Sequence, residues 1–71
     1  MNKINNDAAK RNVRSYRIKA GLTQNEAAKQ MKVSRSTFIR WEQKPAKMTF
    51  EDLAKMAVLY NCTVDDFFTE A

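Results

Sequence analysis

Two capping signals eleven residues apart, at Thr23 and Ser34, constrain this chain more than any other feature in it. Thr23 is followed by Glu26, the pairing in which a threonine hydroxyl takes the third orphan amide of a helix while the glutamate reaches back to the first. Ser34 is placed to cap a second helix. Between the two, Ala27, Ala28 and Met31 share one helical face, small enough for another helix to lie close across it, and Val33 packs inward from a turn. Beyond Ser34, a rotation of about 100° per residue puts Phe38 and Trp41 on one side and Ser36, Ile39, Arg40 and Gln43 on the other. The spacing predicts two short helices set at an angle, the second anchored by one face and presenting the other outward.

The flanking segments read as helices by the same signals. Met1 to Asn6 carries no apolar period and reads as a tail, residues 1–6, with residues 7–71 forming one domain. A first helix is expected from about Asp7 to Ala20, with Ala9, Val13, Tyr16 and Ala20 inward, Ile18 nearly opposite, and Gly21 as the left-handed residue that ends it. Pro45 interrupts the chain after Glu42, so Gln43 to Met48 is expected to be a loop. Thr49 and Asp52 open a fourth helix whose inward stripe is Phe50, Leu53, Met56, Ala57 and Tyr60, with Val58 and Leu59 outside it. Asn61 can close that helix. Thr63 and Asp66 open a short fifth one carrying Val64, Phe67 and Phe68. With one glycine and one proline in 71 residues, the composition favours helices joined by short turns over a sheet, and the expected class is all-α.

Charge is distributed unevenly. Residues 1–47 hold 12 Lys/Arg against 3 Asp/Glu, a net +9, while residues 48–71 hold 1 against 5, a net −4, matching the overall +5. The positive part contains the capped helix pair, which is the footprint of a nucleic-acid partner. Other classes lack their chemistry. Histidine is absent and one thiol, Cys62, cannot build a zinc cage, so no metal or other cofactor is expected, nor a small-molecule ligand. Cys62 is expected to be a buried hydrophobe. No nucleophile–base pair points to an enzyme. No apolar run approaches the roughly 20 residues of a membrane span, and Met1 to Lys10 lacks a signal-peptide core, so the expected location is the bacterial cytoplasm or nucleoid.

The pattern Val13-Arg14-x-x-Arg17, Gly21-Leu22-Thr23-Gln24, Ala28, Val33-Ser34, Thr37-Phe38, Arg40-Trp41-Glu42, then Leu53 and Ala57, resembles the helix-turn-helix domain of the lambda repressor and Cro type, over roughly Val13 to Phe68 without a gap. The resemblance implies a compact five-helix domain with helices 2 and 3 forming the helix-turn-helix. It implies a partly buried ion pair between Arg17 and Glu42, tying the first helix to the end of the third. Lys32 stands where many relatives have glycine, and a left-handed backbone there would carry a strain of order 1 kcal/mol.

The family's reading positions fall on Arg35, Ser36, Ile39 and Arg40. An arginine can give two hydrogen bonds to a guanine edge, serine can donate or accept, and isoleucine can touch a thymine methyl in the major groove. Gln24 and Ser34 resemble the phosphate-contacting positions, and Gln43, Lys44 and Lys47 flank the reading helix as further phosphate contacts. Lys3, Lys10 and Arg11 are additional candidates. The implied partner is a double-stranded DNA operator, read by a Cro-like or repressor-like transcriptional regulator. The alternative is a modulator or antirepressor that binds a phage repressor and masks its DNA-binding face. Ile18, Val58, Leu59 and Phe68 offer an apolar surface for such a partner or for a homodimer.

Overall fold

The structure, a computed structural model, describes residues 6–69. The tail expected over residues 1–6, and Lys3 with it, lies outside the described residues apart from Asn6, which begins the first helix. Five α-helices follow in order: α1 Asn6–Lys19, α2 Gln24–Met31, α3 Arg35–Gln43, α4 Phe50–Leu59 and α5 Val64–Phe68, with a single 3₁₀ turn, Pro45–Lys47, between α3 and α4.

Local chemistry starts and stops these helices. Thr23 and Glu26 form the reciprocal box, the Glu26 amide donating to Thr23 Oγ1 at 3.1 Å and the Thr23 amide to Glu26 Oε1 at 2.9 Å. Thr63 and Asp66 do the same for α5, at 3.2 and 2.9 Å. Ser34 and Thr49 each accept the amide three residues on, both at 3.1 Å. Three helices end alike, on a residue with positive φ: Gly21 (76°), Lys32 (60°) and Asn61 (58°). In each case that residue's amide bonds the carbonyl three back, and the next amide bonds the carbonyl five back: Leu22 to Arg17, Val33 to Ala28, Cys62 to Ala57. This paired closure satisfies the last carbonyls and turns Leu22, Val33 and Cys62 onto the core, where all three are half-buried. Lys32 thus occupies the left-handed position that its place in the sequence implied.

The core gathers Val13, Ala27, Ala28, Phe38, Met48, Leu53, Met56, Ala57, Tyr60 and Phe67. Phe67 is fully buried, and the rings of Tyr16 and Tyr60 meet it edge-on, with centroids 6.0 and 6.3 Å away. Alternating ring edges and faces is the favoured electrostatic arrangement. Asn12 on α1 donates to the carbonyls of Phe67 and Thr69 at 3.0 and 2.7 Å, fastening the end of α5 to α1.

Five expectations are corrected. Phe50 is 71% exposed instead of inward. It is the first residue of α4, beyond the reach of the neighbouring helices, and Met48, just before the Thr49 cap, is buried in its stead. Ala20 is exposed because α1 closes at Lys19. Leu59 and Phe68, expected on the surface, pack half-buried against the core. Cys62 is half-buried instead of fully enclosed, because it sits on the closing turn after α4.

Candidate nucleic-acid interface

The third helix is fixed from behind. Phe38 has no exposed surface, Trp41 packs half-buried against the core, and Glu42 is only 6% exposed. The buried carboxylate of Glu42 joins three helices: Oε2 accepts from Arg17 Nε of α1 at 2.6 Å and Oε1 from Gln24 Nε2 of α2 at 3.0 Å. Arg17, itself buried, also donates from Nη1 to the Leu22 carbonyl at 2.9 Å. The ion pair implied by the resemblance is thus present, with both charges satisfied by hydrogen bonds, the condition under which a buried pair is tolerated.

Nearby, Tyr60 Oη is buried with no hydrogen-bond partner among the described residues. Burial, and next the negative charge of Glu42, push its phenol well above the ordinary tyrosine value, with Arg17 opposing. Cys62 is pushed in the same direction by burial and then by Asp66, so its thiolate is disfavoured.

On the opposite side of α3, Arg35, Ser36 and Arg40 are exposed and Ile39 is half-buried. Among the described residues no ion pair engages Arg35, Arg40, Lys44 or Lys47. Gln43, Lys44 and Lys47 are also exposed, continuing the polar and basic surface past the end of the helix. Arg40, Gln43, Lys44 and Lys47 surround the accessible part of Trp41 in a cleft of about 530 Å³.

Two expected phosphate contacts have their side chains already engaged. The Gln24 amide group donates to Glu42, and the Ser34 hydroxyl both caps α3 and donates to Thr37 Oγ1 at 3.1 Å. What these positions offer an anion is backbone: the amides of Gln24 and Asn25 at the start of α2, and those of Arg35 and Ser36 at the start of α3, remain after capping.

Sequence reasoning missed Arg14 as a candidate contact. With Lys10 of α1 it lines a cleft of about 380 Å³ whose other walls are Arg17, Thr23, Gln24, Glu42 and Gln43. Lys10, Arg14 and Arg17 fall at i, i+4 and i+7, a basic helical stripe that could have been read directly. Arg11 is exposed but does not line this cleft. Of the four residues expected to form an apolar partner surface, Ile18 (57%) and Val58 (81%) are strongly exposed, whereas Leu59 and Phe68 are drawn toward the core.

Five short helices, in which a capped second helix braces an outward-facing third, define the class of helix-turn-helix domains. A family profile described as helix-turn-helix matches residues 13–67, more than half of the chain, so the protein belongs to that family, in its lambda repressor and Cro type. That is a family of DNA-binding regulators. No curated protein and no solved structure matches the chain. Among the described residues, no helix is long and apolar enough to cross a membrane.

Proposed function

We propose that this domain is a sequence-specific regulator of transcription, of the Cro or repressor kind, that reads an operator in the major groove with α3. The observation that carries the reading is the division of α3 into two faces. Phe38 and Glu42 hold it to the domain, while Arg35 and Arg40 stand exposed on the other side with no ion pair to satisfy them. A guanidinium is a planar fork of donors matched to the guanine edge, so Arg35 and Arg40 are assigned to bases, with Ser36 and Ile39 between them.

Phosphates on either side of the groove are assigned to the free amides at the starts of α2 and α3, to Gln43, Lys44 and Lys47 beyond α3, and to Lys10 and Arg14 on α1. These contacts set register and raise affinity without reading sequence. A protein with this task works where the chromosome lies, in the cytoplasm or nucleoid of a bacterial host.

The test is selection of bound sequences from random duplex DNA, with the protein and with Arg40→Ala. A single enriched motif is expected, losing discrimination at one base position in the variant with a cost of about 1–3 kcal/mol. Affinity should fall log-linearly with salt, and Lys44→Ala should reduce that slope by about one phosphate contact without changing the motif. Failure to enrich any sequence at low salt would overturn the reading.

The rival, a modulator that covers a repressor's DNA-binding face, draws on the 57% exposure of Ile18 and on Ile39 beside it in chemistry. It predicts a salt-insensitive complex with a repressor and no DNA motif. The packing of Leu59 and Phe68 against the core leaves it less apolar surface to work with.

A further inference from the structure

The cleft around Trp41 rests on fixed backbone. Arg40, Trp41, Gln43, Lys44 and Lys47 line a volume of about 530 Å³. The first three belong to α3. Lys44 closes that helix with its amide on the Arg40 carbonyl at 3.1 Å, and Lys47 ends the 3₁₀ turn with its amide on the Lys44 carbonyl at 3.0 Å. Buried Pro45 and Met48 hold the turn to the domain. Both lysines are therefore carried beside the indole on hydrogen-bonded backbone.

Three cations, one aromatic ring and no carboxylate line this cleft, whereas those at Lys10 and at Lys29 include Glu42 and Glu26. None of Arg40, Lys44 and Lys47 has an ion-pair partner among the described residues. The negative end of the α3 dipole lies here, but it is worth only about half a charge against three. Trp41 is half-buried, and among the described residues no ring or cation stacks on it: the ring contacts join Tyr16 and Tyr60 to Phe67, and Lys19 lies over Tyr16. Its Nε1 is neither hydrogen-bonded nor buried among them. Such a positive field suits a multiply charged anion, and an unstacked indole suits a flat π system. A nucleoside phosphate combines the two. Gln43, the uncharged polar residue of the lining, carries a donor and an acceptor that match N7 and the N6 amino group of adenine.

From these observations we infer that the Trp41 cleft binds a free adenine nucleotide, with the base against the indole, its edge toward Gln43, and the phosphate among Arg40, Lys44 and Lys47. The volume falls in the range of about 300–1,000 Å³ typical of small-ligand clefts. The cations are exposed and their attraction is screened by water, so binding is modest, with a dissociation constant on the order of 1 mM at low salt. The inference does not rest on the reading of DNA by α3. Where α3 also reads DNA, nucleotide and duplex draw on the same three cations, and each displaces the other.

Trp41 is the single tryptophan, so its indole N–H gives one nuclear magnetic resonance signal that reports on this cleft. Titrating the full chain, without DNA, with adenosine 5′-monophosphate should shift that signal saturably, one nucleotide per chain. Adenosine and ribose 5-phosphate, each carrying one part of the ligand, should bind at least about tenfold more weakly, and uridine 5′-monophosphate about threefold more weakly. Lys44→Ala and Lys47→Ala should each lower affinity about two- to fivefold, the range for exposed charge pairs, and Lys47→Glu more than about tenfold. Trp41 packs against the core, so the variants are placed on the lysines, and unchanged helical circular dichroism shows that the fold is intact. A four-residue deoxyadenosine strand separates a free nucleotide from an unpaired one in a nucleic acid: it should bind no more tightly per nucleotide than the monophosphate does. No saturable shift at about 10 mM monophosphate, equal binding of adenosine, ribose 5-phosphate or uridine 5′-monophosphate, indifference to Lys47→Glu, or a shift produced by the strand alone would each overturn the proposal.

Discussion

Replacing Tyr60 by phenylalanine should stabilise this protein, although a buried tyrosine normally loses about 1 kcal/mol when its hydroxyl is removed. The reversal follows from the position of that hydroxyl: Tyr60 is 5% exposed, and Oη has no hydrogen-bond partner among the described residues. A buried polar group without a partner costs about 1–3 kcal/mol relative to water, and the phenyl ring keeps the edge-on contact with Phe67. Set against the small void left by one oxygen, the net gain is about 1 kcal/mol, which raises Tm by about 4–8 °C in a domain of this size.

A second signature separates this account from mere improved packing. The folded phenol is pushed above its ordinary value of 10.0 by burial and by Glu42. The unfolded chain therefore releases this proton first as pH rises. The contribution is fully present below pH 10 and is lost as pH climbs toward the folded value, at up to about 1.4 kcal/mol per pH unit. Tyr60→Phe should remove that part of the alkaline limb, leaving the smaller shares of Tyr16 and Cys62, whose values burial also raises. Urea unfolding at pH 7, 10 and 11 measures both effects. Destabilisation by 1 kcal/mol or more at pH 7, or identical alkaline slopes in the two proteins, would refute the reasoning.

Three other outcomes are expected. Glu42→Ala should cost about 3–5 kcal/mol by stranding Arg17, comparable to the whole net stability of a domain this small, and Arg17→Met with Glu42→Leu should recover much of it; thermal melts of the single and double variants decide. Lys32→Gly should stabilise by about 0.5–1 kcal/mol by relieving a left-handed lysine, whereas Gly21→Ala should cost about 1 kcal/mol from the backbone alone, since a Cβ there would meet nothing within 4 Å; chemical denaturation tests the opposite signs. Hydrogen bonds from the Thr23 backbone and then its side chain hold the Glu26 carboxyl below its ordinary 4.5, so this cap's contribution is present above that pH and fades as pH falls through the lower folded value; Glu26→Gln should flatten that part of the acid limb in pH-dependent melts.

How legible the fold was depended on the distance over which each cause acts. Thr23, Ser34, Thr49 and Thr63 could be read as helix starts because a cap involves a residue three positions away. Gly21 and Asn61 could be read as stops because the left-handed conformation is a property of one residue. Phe50 defeated the same reading: its helical phase is inward, but exposure at a helix's first residue depends on what lies past the helix end. Leu59 and Phe68 erred the other way, drawn into contact by helices whose mutual placement the sequence does not state. At the site, the division of α3 into buried and exposed faces was periodic and therefore visible. The engagement of Gln24 by Glu42, eighteen residues on, and the meeting of Arg14 with the start of α2 arise only when three helices come together.

The brace of Arg17 and Gln24 on one carboxylate has a consequence for how such a domain can change its target. The hydrogen bonds that brace α3 run from Arg17 and Gln24 to Glu42, while the side chains of Arg35, Ser36 and Arg40 are exposed, so exchanging these three leaves that brace in place. On the proposed reading of DNA by α3, the half-buried Ile39 is the position where a new address and the old scaffold must be negotiated together.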